Sequence, residues 1–363
     1  MLAYLKLDVY LLADVFETFR KVTLEQDALD PVHFVSLPGL SYQSAFKMTK
    51  ESIHLLQDAE MYTLFERGIR GGLTFVNKHV VNSTQDIGST THLMYIDQNN
   101  LYGSALSKPL PQSDFQWVEP HDIEHFSNPA HIMALGDEAD IGYLFEVDLI
   151  YPECIKNRTV DFPLAPESGI VSPDMFSPFM EEHNKKYEAE NDLKYKATRK
   201  LLLTQLNKQH YIVHYSILKF YLGMGMQLDK VHRAIQFRQK PFLKPYIEFN
   251  SKKRAESKNP FEKDFFKFKN NALFGKTMED VRKRMDYRIV TDPETSIKLC
   301  RSSLFCHHDV ISEDITGFKM LKSKVELCKP IYVGQAVLDH SKLEVYKLFY
   351  HTLKRVHWSN MWN

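Results

Sequence analysis

The stretch HLMYIDQNNLYGSAL, His92 to Leu106, decides how the chain is read. Leu93–Ile96 is a short β-favouring run that delivers Asp97 at its end, and Gln98 and Asn99 precede NLYG and the start of a helical pattern. Aspartate is a common strand-closing residue, so an Asx turn that caps the next helix accounts for Asp97 on these residues alone. Taken alone, that is the simpler reading.

Working outward, the chain has 363 residues, 44% hydrophobic and 25% charged, a composition that suits an ordinary globular protein with two or three structural regions. No apolar run approaches the roughly 20 residues that a bilayer crossing needs. Lys6, Asp8 and Asp14 interrupt the N-terminus where a signal peptide would be uniformly apolar. No membrane partner and an intracellular, unsecreted location are expected. Cys154, Cys300, Cys306 and Cys328 form no CxxC pair, and CRSSLFCHH, with His307 and His308, fits no familiar zinc spacing. Formal net charge is zero, yet bases dominate between Lys230 and Arg288 while Glu119 to Glu153 is acidic. Such segregation either hides a phosphate-binding face inside a neutral total or reflects two solvated surfaces.

Leu2, Leu5, Tyr10, Leu12, Ala13, Phe16 and Phe19 describe an amphipathic helix with no N-cap, which suggests an upstream part. AEMYTLFERGI reads as helix, RGG breaks it, and LTFV is strand-like. GYLFEVDLIY is a strand, the whole of VSPDMFSPFMEEHNKKYEAENDLKYKATRKLL a helix, and YIVHYSILKFYL a strand passing into a helix. Helices follow from Pro245 to about Lys258 and from Pro260 to about Lys283, then YRIVT, PIYVGQAVL and a last helix from Ser341. The class is mixed α+β.

The second informative stretch is FEKDFFKFKNNALFGKTMED, Phe261 to Asp280. At 100° per residue Lys263, Lys267, Asn271 and Phe274 share one narrow sector, and Phe265, Phe268 and Ala272 lie roughly opposite and should be buried. Two lysines four residues apart repel, and a polyanion between them relieves that strain. Gly275 leaves room for a close approach of backbone or base pair. An ordinary amphipathic helix with a solvated basic face gives the same pattern.

Together the two stretches resemble family B DNA polymerases. Asp97 with NNLYG resembles motif A, DxxSLYP, with Asn100 in the serine position and Gly103 in the proline position. KFKNNALFG resembles motif B, KxxxNSxYG, keeping Lys267, Asn271 and Gly275, with Ala272 for serine and Phe274 for tyrosine. GIRGGLTF is similar to the YxGG motif of the protein-primed branch with Ile69 for tyrosine, and YLKLD, Tyr4 to Asp8, to the third exonuclease motif, YxxxD. NNLYGSALSKPLP, KPYIEFNSKKR and KPIYVGQAVLDHSK resemble the organellar and viral group, notably polymerases of Maverick-type mobile elements.

The resemblance implies a palm with an incomplete antiparallel sheet, helical fingers and the tail of an exonuclease domain. Residues 1–35 would be the remnant of the 3'-5' exonuclease domain, with Tyr4 and Asp8, and 36–90 the connection with the YxGG-like motif. Motif A and palm would occupy 91–113, an acidic insertion 114–180, further palm 181–244, the fingers with motif B 245–284, and the palm return 285–363. It implies DNA-directed DNA polymerisation, protein-primed, on a primer-template with dNTP, and a terminal priming protein as a further partner. Nucleus or a viral or mobile-element replication site is the implied location. Two Mg²⁺ ions are the implied cofactor. Asp97 would be catalytic and a metal ligand, and the Gln98 carbonyl a second ligand. Tyr102 would stack under the sugar. Lys263, Lys267 and Arg254 would meet the nucleotide phosphates, and Asn271 and Phe274 would line the base-pair pocket. Arg70, Gly71, Gly72 and Gly275 would contact DNA. The third polymerase motif, YxDTDS, is absent, because no aspartate follows Asp339, and so are the first two exonuclease motifs. The implied metal site is therefore incomplete, and a remnant that only binds DNA or nucleotide is the alternative.

Overall fold

The structure is a computed structural model that describes residues 2–73, 85–86, 89–90, 97–191, 194 and 196–354. Its centre is a four-stranded antiparallel sheet in the order Leu110–Trp117, Gln227–Lys240, Ile141–Ile150, Lys208–His214. Side chains alternate between its two faces, as the pleat requires. Leu144, Ile212 and Ile235 enter one core, and their neighbours Phe145, Val213 and Ala234 enter the other.

One helix, Ile331–Lys347, serves both cores. Every residue from Ile331 to Leu343 is buried, with Tyr332, Val333, Ala336 and Val337 in the first core and Leu343 and Tyr346 in the second. A helix sunk this deeply must satisfy its polar side chains internally. Asp339 Oδ2 accepts from the backbone N–H of His214 (2.9 Å), at the end of one edge strand, and from Gln335 Nε2 (2.7 Å). His340 Nε2 donates to the carbonyl of Pro109 (3.2 Å), beside the opposite edge strand. Lys342 Nζ donates to the carbonyl of Arg70 (2.8 Å); burial pushes its pKa down to about 8, against the pull of Asp339. Gly334 is required because a Cβ there would overlap Met278, just past the helix Pro260–Thr277.

The mixed α+β expectation holds, with corrections in detail. PIYVGQAVL is part of the Ile331–Lys347 helix, which starts ten residues before Ser341. The long helix expected after Val171 is confined to Pro178–Asn191, and Arg199–Leu202 is a strand paired with Glu167–Ile170. The strand Gln227–Lys240 carries too many charges to read as central, yet both its arginines and Lys240 find an acid. Arg233 Nε donates to Glu146 Oε2 (2.5 Å), Arg238 pairs with Asp114 (3.0 Å) and Lys240 with Glu51 (2.8 Å). The acidic stretch 114–153 therefore neutralises the first part of the basic half across the sheet. It also supplies Ile141–Ile150, so a boundary at 114 cuts through the sheet. LTFV lies outside the described residues beyond Leu73. No helix among the described residues is long and apolar enough to cross a membrane.

Two fully buried histidines make the fold acid-sensitive. Burial holds the His214 pKa down near 3, and that of His340 well below its ordinary value, further lowered by His214 and Lys108 nearby. Below the unfolded value of 6.5 the unfolded chain binds protons that the folded chain refuses, so stability present at neutral pH is lost as pH falls toward the folded values. At pH 5.5 the expected loss is about 1.4 kcal/mol per histidine. Urea titrations at pH 7.5 and 5.5 should show this loss, shrinking in His340→Gln; equal stabilities at the two pH values would contradict it.

Candidate nucleotide and nucleic-acid site

Asp97 is exposed and makes no hydrogen bond or ion pair with another described residue. It is not a helix cap: the helix Leu101–Leu106 is preceded by Asn100, in the left-handed region at φ 54°, with no side-chain capping bond. The strand expected at Leu93–Ile96 lies outside the described residues. Beside Asp97, Gln98 turns its side chain inward and leaves Oε1 buried without a hydrogen-bond partner among the described residues. Gly103 follows from the bend at Asn100, whose amide lies against the first helical turn where a Cβ at Gly103 would sit.

Tyr102 leaves this helix and stacks on Phe274, with centroids 4.3 Å apart and planes 12° from parallel. Stacking at that distance joins two segments separated by nearly half of the chain. Gly72 is the third member, because a Cβ there would lie 3.7 Å from Tyr102 Oη. The structure thus brings Tyr102, Phe274 and Gly72 together.

Phe274 belongs to the helix Pro260–Thr277, started by Asn259, whose Oδ1 accepts from the Glu262 N–H (2.8 Å), with Pro260 in the first turn. Lys263, Lys267 and Asn271 are exposed on it, as the spacing predicts, and Gly275 faces open space. The buried side differs from expectation. Phe265 is buried, but Phe268 is 58% exposed, and the packed face is Phe265, Phe266, Lys269, Asn270, Leu273 and Thr277. Two polar residues occupy that face because they are satisfied there: Lys269 Nζ lies 2.8 Å from both Oδ atoms of Asp27, and Asn270 Oδ1 accepts from Asn250 Nδ2 (2.9 Å).

Pairing removes most other cations of the 252–284 stretch from contention. Lys276 and Arg284 bind Glu279, Lys283 binds Asp280, Arg282 binds Glu66, and Lys252 and Lys253 lie near Glu256. Arg254, Lys258, Lys263 and Lys267 make no ion pair with a described residue; Lys258 belongs to the basic run but to no motif position, so the sequence gives it no site role. Arg254 is half-buried in the last turn of Lys244–Glu256.

Arg70 is a correction. Its guanidinium is buried, donates to the Ile212 carbonyl (2.6 Å) and lies 3.8 Å over the Tyr211 ring, so its side chain anchors the turn from inside while Gly71 and Gly72 are exposed. Tyr4 and Asp8 are exposed on the helix Leu2–Asp27. Two aspartates that could have supplemented Asp97 are engaged elsewhere. Asp339 is in the core, and Asp148 accepts from the His210 N–H (2.7 Å) and lies 2.8 Å from His232 Nε2. Among the described residues no group of three His, Cys, Asp or Glu could hold a metal ion. A hard cation with six oxygen ligands would find one free carboxylate here, so the described donors do not fit a complete two-metal site.

The family described as DNA polymerase type B, organellar and viral, matches residues 1–299. No curated protein matches the chain. Among solved structures, phi29 DNA polymerase in complex with primer-template DNA and incoming nucleotide is 12% identical, with a TM-score of 0.45 over 91% of this chain and 48% of that one. The orthorhombic crystal form of phi29 DNA polymerase gives 12% and 0.46 over the same shares. The chain spans about half the length of these polymerases.

Gly103→Ala should destabilise the fold by about 1 kcal/mol, because its methyl must displace the Asn100 amide. Asn100→Gly removes that amide and tolerates the positive φ, so adding it to Gly103→Ala should restore stability. Thermal melts of both variants check this; a double variant no more stable than Gly103→Ala would refute the overlap.

Proposed function

Because the chain belongs to the organellar and viral family of type B DNA polymerases, we propose that it forms the nucleotide and primer-template cleft of a DNA-directed DNA polymerase, a nucleotidyltransferase of DNA replication primed by a protein. The observation that carries this reading is the Tyr102–Phe274 stack, which joins the motif A and motif B segments beside Gly72. Lys263 and Lys267, lacking carboxylate partners among the described residues, neutralise the triphosphate, and Arg254 assists from the neighbouring helix. Tyr102 supports the sugar and tests for a 2'-hydroxyl, while Asn271 and Phe274 face the nascent base pair. Gly71, Gly72 and Gly275 let DNA backbone come close.

Divalent cations supply the charge neutralisation that phosphoryl transfer needs. Asp97 and the Gln98 carbonyl are the residues that would hold one of them, Mg²⁺ being the ion that suits oxygen donors. The exonuclease assignment of Tyr4 and Asp8, the terminal priming protein and replication of a viral or Maverick-type element rest on motif similarity. A second reading, a chain that binds DNA or nucleotide without transferring it, is favoured by the engagement of Asp339 and Asp148 away from Asp97.

Binding of a fluorescent primer-template should weaken steeply with salt, since each neutralised phosphate releases counterions. Lys267→Ala should reduce the slope of log affinity against log salt by about one. Salt-insensitive binding, or none, would sink the proposal. In primer extension with Mg²⁺ the chain should exceed its Asp97→Ala blank only slightly; robust extension would show that another carboxylate completes the site and would eliminate the second reading.

A further inference from the structure

The helix Pro260–Thr277 has two faces on which it could pack. Phe265, Phe268 and Ala272 define one, the apolar face of the sequence. The face that is buried is centred roughly 110° further around the axis and includes Lys269 and Asn270. Phe266 and Leu273 make the second face at least as apolar as the first, but burying it also buries Lys269 and Asn270, whose polar groups must be met inside.

At the centre of the buried face sits an ion pair with no solvent exposure on either side chain, Lys269 with Asp27. Asp27 Oδ1 also accepts from Ser44 Oγ (2.8 Å), and the ammonium lies 5.6 Å from the ring centroids of Tyr246 and Phe265. A buried pair adds little net stability, because desolvation offsets its attraction, but a buried carboxylate without its cation is strongly unfavourable. Such a pair therefore discriminates between packings. Lys267, two residues earlier, points about 200° away whenever Lys269 is inside.

We propose that Asp27 and Lys269 set the rotational register of this helix, which makes Lys269 a positioning residue for Lys263, Lys267 and Asn271 and ties the end of the helix Leu2–Asp27 to the cleft. What the register serves rests on the proposed function; the register itself does not. The sequence offers three lysines within seven residues, Lys263, Lys267 and Lys269, and the buried carboxylate of Asp27 decides which one turns inward. Phe19, on the same N-terminal helix, meets Phe265 edge-on at 5.4 Å and reinforces the choice.

Lysine acylation of the full chain, read peptide by peptide by mass spectrometry without nucleic acid, tests this. In the parent Lys263 and Lys267 should react and Lys269 should be protected. In Asp27→Asn, Lys269 should become reactive and Lys267 should lose reactivity severalfold. The apolar pair Asp27→Leu with Lys269→Met should fold, yet show altered Lys263 and Lys267 reactivity and weaker triphosphate binding. The charge swap Asp27→Lys with Lys269→Asp should recover the parental pattern at both. Parental reactivity of Lys263 and Lys267 in a folded Asp27→Asn or apolar pair would overturn the proposal. If neither folds, the swap decides: recovery of fold and pattern supports it, and no recovery overturns it. A parent with the expected footprint but no affinity for nucleotide or DNA would fail the proposed function alone.

Discussion

A four-stranded sheet leaves two edge strands, and here consecutive residues of one buried helix bond at or beside one end of each. Asp339 takes the backbone N–H at the end of the Lys208–His214 strand, and His340 reaches the Pro109 carbonyl beside the Leu110–Trp117 strand. Unpaired edges invite association with other chains, and a buried helix with unmet polar groups would be equally unfavourable. At these two points each problem resolves the other. The same helix holds the Arg70 carbonyl through Lys342 and lets Met278 approach at Gly334, so its position places the Gly71–Gly72 turn and the end of the motif B helix. The meeting of Tyr102 with Phe274 follows from that placement.

The proposed cleft is thus built from inside. Arg70, which sequence reasoning sends to the template, supports its own turn by binding the Ile212 carbonyl. Lys269, next but one to Lys267, supports the helix rather than the ligand. What remains at the surface is selected by subtraction: acids bind most of the nearby bases, and Arg254, Lys258, Lys263 and Lys267 are left without carboxylates among the described residues. Zero net charge is compatible with that outcome because the neutralisation is local to the sheet and to the loops near Glu279.

Legibility in the sequence tracked how local the determining forces are. GYLFEVDLIY and YIVHYSILKFYL declared themselves because their patterns reflect their own two faces, and Asn259 with Pro260 marked a helix start by its local capping chemistry. The Gln227–Lys240 strand was illegible because its charges are met by residues far away in the chain, among them Glu146 and Glu51. PIYVGQAVL hid inside a helix because a helix buried all round has no amphipathic period to read. Phe268 was misplaced for the same kind of reason, since Asp27, more than two hundred residues earlier, turns Lys269 inward. At the site, the sector of Lys263, Lys267 and Asn271 was legible from spacing, whereas the interior role of Arg70 was not.

The central claim is that the Asp97–Leu106 and Pro260–Gly275 segments form one nucleotide cleft. Photo-crosslinking with an azido-substituted dNTP in the presence of primer-template, followed by peptide mapping, tests it most directly. Label should appear on peptides containing both Tyr102 and Lys267–Phe274, and excess unlabelled dNTP should suppress it. Label confined to the helix Leu2–Asp27 or to the separate sheet of Asp286–Val290, Phe305–Ser312 and Ile315–Met320 would contradict the account.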